Sequence, residues 1–411
     1  MRALTGVLLT SLMNAGPARA QAPTGDALAA QAAKVKEMAL TSDPRKGWDL
    51  FRDKACIRCH AVWGEGGSVG SDLGRTRTLK HLSAGEIAGV MWNHVPRMWE
   101  KMEEKGIRLM PISGEEMGHL FAFLLFIRYA EEPGDAVRGE HALARYRCQE
   151  CHALATEGGT VGPDLQGWAR FVNPIVWAQK MWMHAPAMMA QMRALGIAWP
   201  TFSENDLGDI VAFIRARTAG EEKEYIAPGS PARGKDLFQE RGCAACHPLD
   251  GGKGKGPDLE KAALPDTPAG IASQMWNHAP KMLRAIETAR APALRLGPQD
   301  MADIIAYLIT RRYFLAQGDP VAGRRVFLEK QCVSCHVVGG TGGDFGPALT
   351  PVRGSASAVL MAHVMWSSGP LMLDAMADQG IPWPNFEGSE MSDLIAYLDA
   401  GTPAQTGAKR E

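Results

Sequence analysis

Four copies of one short pattern fix the organisation of this chain: "CIRCH" at 56–60, "CQECH" at 148–152, "CAACH" at 243–247 and "CVSCH" at 332–336. Together they use all eight cysteines, and successive copies start 92, 95 and 89 residues apart. A period of that kind marks a tandem array of similar units rather than one large core. Nine residues before each first cysteine stands a glycine: Gly47, Gly139, Gly234 and Gly323. Four residues after each glycine comes a large apolar side chain: Phe51, Leu143, Phe238 or Phe327. Each unit closes on a stretch such as "MGHLFAFLLF", "LGDIVAFI", "MADIIAYL" or "MSDLIAYL", with apolar residues at helical spacing.

Turn-rich joints, "EEPGD" at 131–135, "APGSP" at 227–231 and "QGDP" at 317–320, separate the units. The units therefore run 43–130, 133–218, 229–314 and 318–400, four being within what 411 residues allow. Residues 21–42, with an Ala-rich helical stretch from Asp26 to Leu40, and residues 401–411 read as peripheral tails. Alternating β-branched runs are scarce, so the expected class is all-α with long loops. Residues 1–20 combine Arg2, an apolar run from Ala3 to Met13 and an Ala-Arg-Ala end, the pattern of a secretory signal peptide. The expected location is the periplasm, with an extracellular one also open. No later segment reaches 18 uninterrupted apolar residues, so no transmembrane segment is expected. Removing Arg2 and Arg19 with the leader takes two positive charges away, from −1 to −3, and nothing in that balance points to nucleic acid.

C-x-x-C-H is the attachment pattern of c-type haem. Residues three apart on a helical turn share a face, so two thiols can reach the two vinyl groups of one porphyrin, and the next residue's imidazole can reach the iron. Cys56 and Cys59 with His60, Cys148 and Cys151 with His152, Cys243 and Cys246 with His247, and Cys332 and Cys335 with His336 make four such sites. Zinc would need two cysteine pairs to converge, yet the pairs stand about ninety residues apart in sequence, each with its own histidine. A dithiol redox pair needs neither the histidine nor four copies.

Together these features resemble class I cytochrome c over nearly the whole chain except its tails. The resemblance implies four tandem cytochrome c-like helical domains, each wrapped around one covalent haem c. It implies that the glycine of each first helix crosses close to an aromatic of the last, here Phe123, Phe213, Tyr307 or Tyr397. It also implies that the carbonyl after Gly in "GPDL" (162–165), "GPDL" (256–259) and "GPAL" (346–349) accepts from the proximal imidazole. The first unit has "GSDL" at 70–73, where Ser71 offers the carbonyl and a looser site is expected.

The family's usual distal methionine, just before the last helix, has no counterpart at the matching place. Leu109, Trp199 and Trp383 stand there, and "APALRLG" (291–297) has no methionine; Met110 lies near only in the first unit. Another recurring stretch supplies candidates: "MWNHVPRM" (91–98), "MWMHAPAM" (181–188), "MWNHAPKM" (275–282) and "MWSSGPLM" (365–372). Its proline predicts a helix ending near Trp92, a break, and a new helix from Pro96. The second methionine, Met98, Met188, Met282 or Met372, lies 35–38 residues after the proximal histidine, is present in all four units and is the favoured axial ligand. His94, His184 and His278 are the alternative in three units, but the fourth has Ser368. Met91, Met181, Met275 and Met365 read as packing around the porphyrin, and the tryptophans as a pocket wall.

Iron with both axial positions filled exchanges single electrons, so the expected function is an exported tetrahaem electron relay between redox donor and acceptor proteins. Two other readings stay open. One is a redox enzyme or subunit with a five-coordinate haem, of peroxidase or sulfur-compound oxidoreductase type, most readily in the unit with Ser368. The other is a subunit of a polymeric extracellular wire. His81, His119, His141 and His363 have no histidine counterparts in register and read as surface or packing residues.

Overall fold

The computed structural model describes residues 40–75, 82–129, 134–171, 173–203, 205–218, 227–249, 251–265, 267–290, 294–314, 318–349 and 357–400. The leader at 1–20, nearly all of the 21–42 tail, the 401–411 tail and His81 lie outside the described residues. Among those described, one order recurs four times: short helix, C-x-x-C turn, long helix, closing helix. Unit 1 holds α1 (Pro44–Asp53), α2 (Ala84–Glu104) and α3 (Gly114–Tyr129); unit 2 holds α4 (Ala136–Arg145), α5 (Pro174–Ala194) and α6 (Asp206–Arg217). Unit 3 holds α7 (Pro231–Glu240), α8 (Pro268–Thr288) and α9 (Pro298–Phe314); unit 4 holds α10 (Pro320–Glu329), α11 (Ala358–Asp378) and α12 (Glu390–Ala400).

Local chemistry starts each helix. Asp43, Asp135, Ser230 and Asp319 cap the short helices through their side chains, and Pro44, Pro231 and Pro320 follow the cap where a helix needs no N–H. Ser83, Asn173, Thr267 and Ser357 cap the long ones. Each short helix packs on the closing helix of its own unit, α1 on α3, α4 on α6, α7 on α9 and α10 on α12. The expected glycine crossing is present in all four. A Cβ on Gly47, Gly139, Gly234 or Gly323 would lie about 2 Å from a carbonyl oxygen of the closing helix, so only glycine allows the approach. Phe123, Phe213, Tyr307 and Tyr397 stand beside these glycines.

Four residues before each aromatic lies a buried polar side chain that ties the two helices. Asp209, Asp303 and Asp393 accept the backbone N–H of Asp135, Ser230 and Asp319 at 2.7, 2.8 and 2.7 Å. In unit 1 the position is His119, whose Nδ1 takes the N–H of Asp43 at 2.9 Å. His119 is thus a buried structural residue in register with three aspartates, not a surface one. Two small antiparallel hairpins, Ala61–Val62 with Glu65–Gly66 and Ala153–Leu154 with Glu157–Gly158, are additions to the expected helical picture.

One expectation fails. The long helices run unbroken for 21 residues through Pro96, Pro186, Pro280 and Pro370, with no end at the preceding tryptophan. The units also do not pack in chain order. In one pair α2 of unit 1 lies against α11 and α12 of unit 4, and α11 against α3. In the other, α8 of unit 3 lies against α5 and α6 of unit 2, and α5 against α9. The same helices are used in both, so unit 1 relates to unit 4 as unit 3 relates to unit 2. Helix α2 also touches α9, which joins the pairs through units 1 and 3.

Candidate functional site

Each C-x-x-C pair spans a tight 3-10 turn entered by a left-handed residue, Ala55, Arg147, Gly242 or Gln331. Residues three apart eclipse in such a turn, which puts both sulfurs on one side. The backbone N–H of His60, His152, His247 and His336 closes on the first cysteine's carbonyl at 2.8–3.0 Å. All eight thiols are free and half-buried. Burial pushes the first thiol of every pair, Cys56, Cys148, Cys243 and Cys332, up to about 11. Among the described residues no three His, Cys, Asp or Glu side chains converge, as a closed zinc site would require.

The four histidines are fixed alike. Nδ1 of His60, His152, His247 and His336 lies 3.0, 2.9, 3.2 and 2.9 Å from the carbonyl oxygens of Ser71, Pro163, Pro257 and Pro347. A carbonyl only accepts, so Nδ1 carries the proton and Nε2 is left with its lone pair for a metal. The expected carbonyl contact is present in every unit, and that of unit 1 is no looser than the others. The glycine before each carbonyl presses on the ring: a Cβ on Gly70, Gly162, Gly256 or Gly346 would lie 2.4–2.6 Å from the imidazole. Two thiols on one side of a turn and one imidazole held with Nε2 free are the donor set that haem c takes.

On the long helices, Met91, His94 and Met98 fall at i, i+3 and i+7, one stripe of α2, and the other three units repeat the spacing. Met98, Met188, Met282 and Met372 are half-buried, while His94, His184 and His278 are exposed. Each of these histidines holds Nδ1 2.7–2.8 Å from the carbonyl four residues back, Val90, Lys180 or Gln274, which leaves its Nε2 free as well. Met91, Met181, Met275 and Met365 pack against the apolar cores.

The tryptophans of the same stretch do more than wall a pocket. Proline removes the N–H that would bond the carbonyl four residues back, and in α2 and α8 those carbonyls belong to Trp92 and Trp276. They accept instead from another unit: Trp383 Nε1 donates to Trp92 at 3.2 Å, and Trp199 Nε1 to Trp276 at 3.2 Å. The indoles stack, with centroids 4.0 Å apart for Trp92–Trp383 and 4.2 Å for Trp199–Trp276. Trp92 Nε1 donates in return to Pro384, and Trp276 Nε1 to Pro200. Asn93 bonds both backbone groups of Phe386 at 2.8 Å, and Asn277 does the same to Phe202. The place where the family keeps its distal methionine is thus occupied in units 2 and 4 by a Trp-Pro-x-Phe loop that docks on another unit. A signal was available in the sequence: Asn follows Met-Trp only in units 1 and 3, and Trp-Pro-x-Phe occurs only in units 2 and 4.

Among the described residues no helix is long and apolar enough to cross a membrane. Comparison with curated proteins and with solved structures gives no match. The cytochrome c family model matches residues 231–311 and 320–401, which are units 3 and 4. Those two segments carry the same turn, histidine and carbonyl as the rest. Both segments match the cytochrome c model, and domains of that family imply a haem-c electron-transfer protein with redox partner proteins.

Proposed function

We propose that the chain is an exported tetrahaem cytochrome whose four units each hold one haem c and pass single electrons between a donor and an acceptor protein. What supports four rather than two is the recurrence, in all four units, of the same turn and of an imidazole Nδ1 within 3.2 Å of the Gly-Pro or Gly-Ser carbonyl. Haem c supplies a one-electron iron couple when bound. The protein residues do the rest. The cysteine pairs Cys56/Cys59, Cys148/Cys151, Cys243/Cys246 and Cys332/Cys335 tether it. His60, His152, His247 and His336 would hold its iron through Nε2, which their Nδ1 contacts leave free. Met98, Met188, Met282 and Met372 are the distal ligands in this reading, because they recur in every unit. A thioether there favours the reduced state.

The histidine alternative rests on one observation. His94, His184 and His278 have Nδ1 anchored to a helix carbonyl, the posture of a metal-binding imidazole. A mass gain of four haems per chain is the expected result, falling by one when a cysteine pair is changed to serine; a gain of two would restrict the sites to units 3 and 4. Counting the long-wavelength sulfur-to-iron absorption bands of the oxidised protein then separates the ligand sets. Four methionine-ligated irons support the Met98 set, whereas a single one, in the unit with Ser368, supports the histidines. An unchanged spectrum of the reduced protein under carbon monoxide is expected of a relay, and a strong response would favour the enzyme reading. The periplasmic location belongs to the same proposal, carried by the leader-like residues 1–20.

A further inference from the structure

We propose that electrons cross this chain in the order unit 4, unit 1, unit 3, unit 2, or its reverse, and not in the order of the sequence. In this path Trp92 with Trp383, and Trp276 with Trp199, act as positioning residues that set which redox centres are neighbours. The inference rests on the reading that every unit carries a haem.

Pro96 and Pro280 each free one backbone carbonyl within a long helix. An unpaired carbonyl in a buried interface costs about 1–3 kcal/mol, so α2 and α8 each need an outside donor at Trp92 or Trp276. In the structure that donor is the indole of a Trp-Pro-x-Phe loop, Trp383 or Trp199, and only units 2 and 4 have that loop. Asn93 and Asn277 then fix the register, since each amide matches both the N–H and the C=O of one phenylalanine. Small residues let the partner close in: a Cβ on Gly85 would lie 2.1 Å from Ser392 of unit 4. Units 1 and 4, and units 2 and 3, are therefore locked as two pairs, and α2 against α9 joins the pairs through units 1 and 3.

Between sequence neighbours, units 1 and 2 or units 3 and 4, no two helices among the described residues make an extended contact. Electron transfer weakens steeply with separation, so the packed neighbours outcompete the sequence neighbours. An electron leaves one reduced centre and enters the oxidised centre of the adjacent packed unit. No bond is made or broken, and the tryptophans remain uncharged throughout. Units 4 and 2 become the two ends of the path, where donor and acceptor proteins deliver and collect.

The test uses the full-length haem-loaded protein. Stepwise reduction is followed by nuclear magnetic resonance of the haem methyl groups, each assigned by its contacts to the neighbouring loop. Reducing one centre shifts the potential of another by an amount that falls with distance. The expected pattern has its strongest mutual shifts within 1/4 and 2/3, an intermediate shift for 1/3, and the weakest for 1/2 and 3/4. Trp383→Leu should cut the 1/4 shift by about half or more, as loosening lengthens the separation, and leave 2/3 as it was. Trp199→Leu should do the reverse, and Trp383→Phe, which keeps a stacking ring, should restore most of the 1/4 shift. Should a leucine variant fail to fold, Asn93→Asp, which keeps the acceptor for the Phe386 N–H but sets a carboxylate oxygen against its carbonyl, takes its place. Four haems per chain with the strongest shift between sequence neighbours overturns the order alone. Fewer than four haems overturns the underlying reading, and the order with it.

Discussion

The pair formed by units 1 and 4 and the pair formed by units 3 and 2 are built on one plan but filled differently. Both keep the stacked indoles, the reciprocal indole N–H bonds and the asparagine that reads one phenylalanine backbone. On the opposite side of each interface the parts change while the bond is kept. In one pair His363 Nδ1 donates to the carbonyl of Ile112 at 2.7 Å; in the other Gln179 Nε2 donates to Leu296 at 2.5 Å. Both donors stand two residues before Met-Trp, and both acceptors stand eleven before the closing aromatic. Volume changes too. Trp99 presses on Gly369, where a Cβ would lie 2.3 Å from its ring, while the matching positions of the second pair hold Leu283 and Ala185. Directional bonds to backbone persist because an unmet partner is costly, whereas packing tolerates compensated exchange.

Removing an inner indole should do most to break the likeness. Trp92 and Trp276 are 2% and 3% exposed, so Trp92→Ala or Trp276→Ala should each cost about 3–5 kcal/mol. Chemical unfolding of the haem-loaded chain would show each substitution uncoupling its own pair and sparing the other. If both variants weakened both pairs alike, the interfaces would not be separate structures.

Asparagine comes next. Asn93→Leu leaves the N–H and the C=O of Phe386 without their partner, and Asn277→Leu does so at Phe202, at about 1–3 kcal/mol for each unmet group. The two losses should agree within about 0.5 kcal/mol if the clasps are equivalent. A loss at only one site would mean that the other clasp is redundant with its surroundings.

The Trp99 contact gives a smaller and sharper test. Gly369→Ala should cost about 1–3 kcal/mol by overpacking. Trp99→Leu should cost less than a buried tryptophan usually does, because Trp99 Nε1 is buried without a partner and leucine removes that orphan. The double variant copies the second pair, and its cost should fall below the sum of the two by about 0.5–3 kcal/mol. Strict additivity would show that the tryptophan and glycine do not constrain each other.

Much of this architecture was legible in the residues. Repeating spacing marked the four units, glycine and aromatic positions marked the helix crossing, and Gly-Pro marked the carbonyl behind three of the imidazoles, with Gly-Ser behind His60. These are local signals, each contained in one unit. The pairing was hidden because it joins segments as far apart as Trp92 and Trp383, and no periodicity connects them. Proline misled for a related reason. Its lost hydrogen bond argues for a break when one helix is considered alone, but in α2 and α8 another unit's indole fills the vacancy. Trp199 and Trp383 stood out only as intruders at a ligand position, since their docking role lies in a neighbour's surface. His119 concealed its register by changing residue type while keeping the task of accepting one backbone N–H.

That last exchange also separates the pairs by pH, with the smallest effect of the four. Burial holds His119 below its ordinary value, helped by the nearby Lys46 and opposed by Glu115 and Asp43. The folded chain therefore binds fewer protons at this site than the unfolded chain, whose value is about 6.5. This contribution is complete above about pH 6.5 and is lost as pH falls through that value towards the lower folded one. Protonation would also turn Nδ1 from an acceptor into a donor facing the Asp43 N–H, opposing the α1–α3 junction directly. Units 2, 3 and 4 do the same job with aspartate, so the pair of units 2 and 3 has no matching histidine. Stability of the haem-loaded protein measured between about pH 7 and pH 5 should fall in the wild type and fall less in His119→Asp, which installs the residue of the other three units. Equal slopes in the two proteins would mean that His119 is not the acceptor at this junction, and the acid sensitivity of unit 1 would need another source.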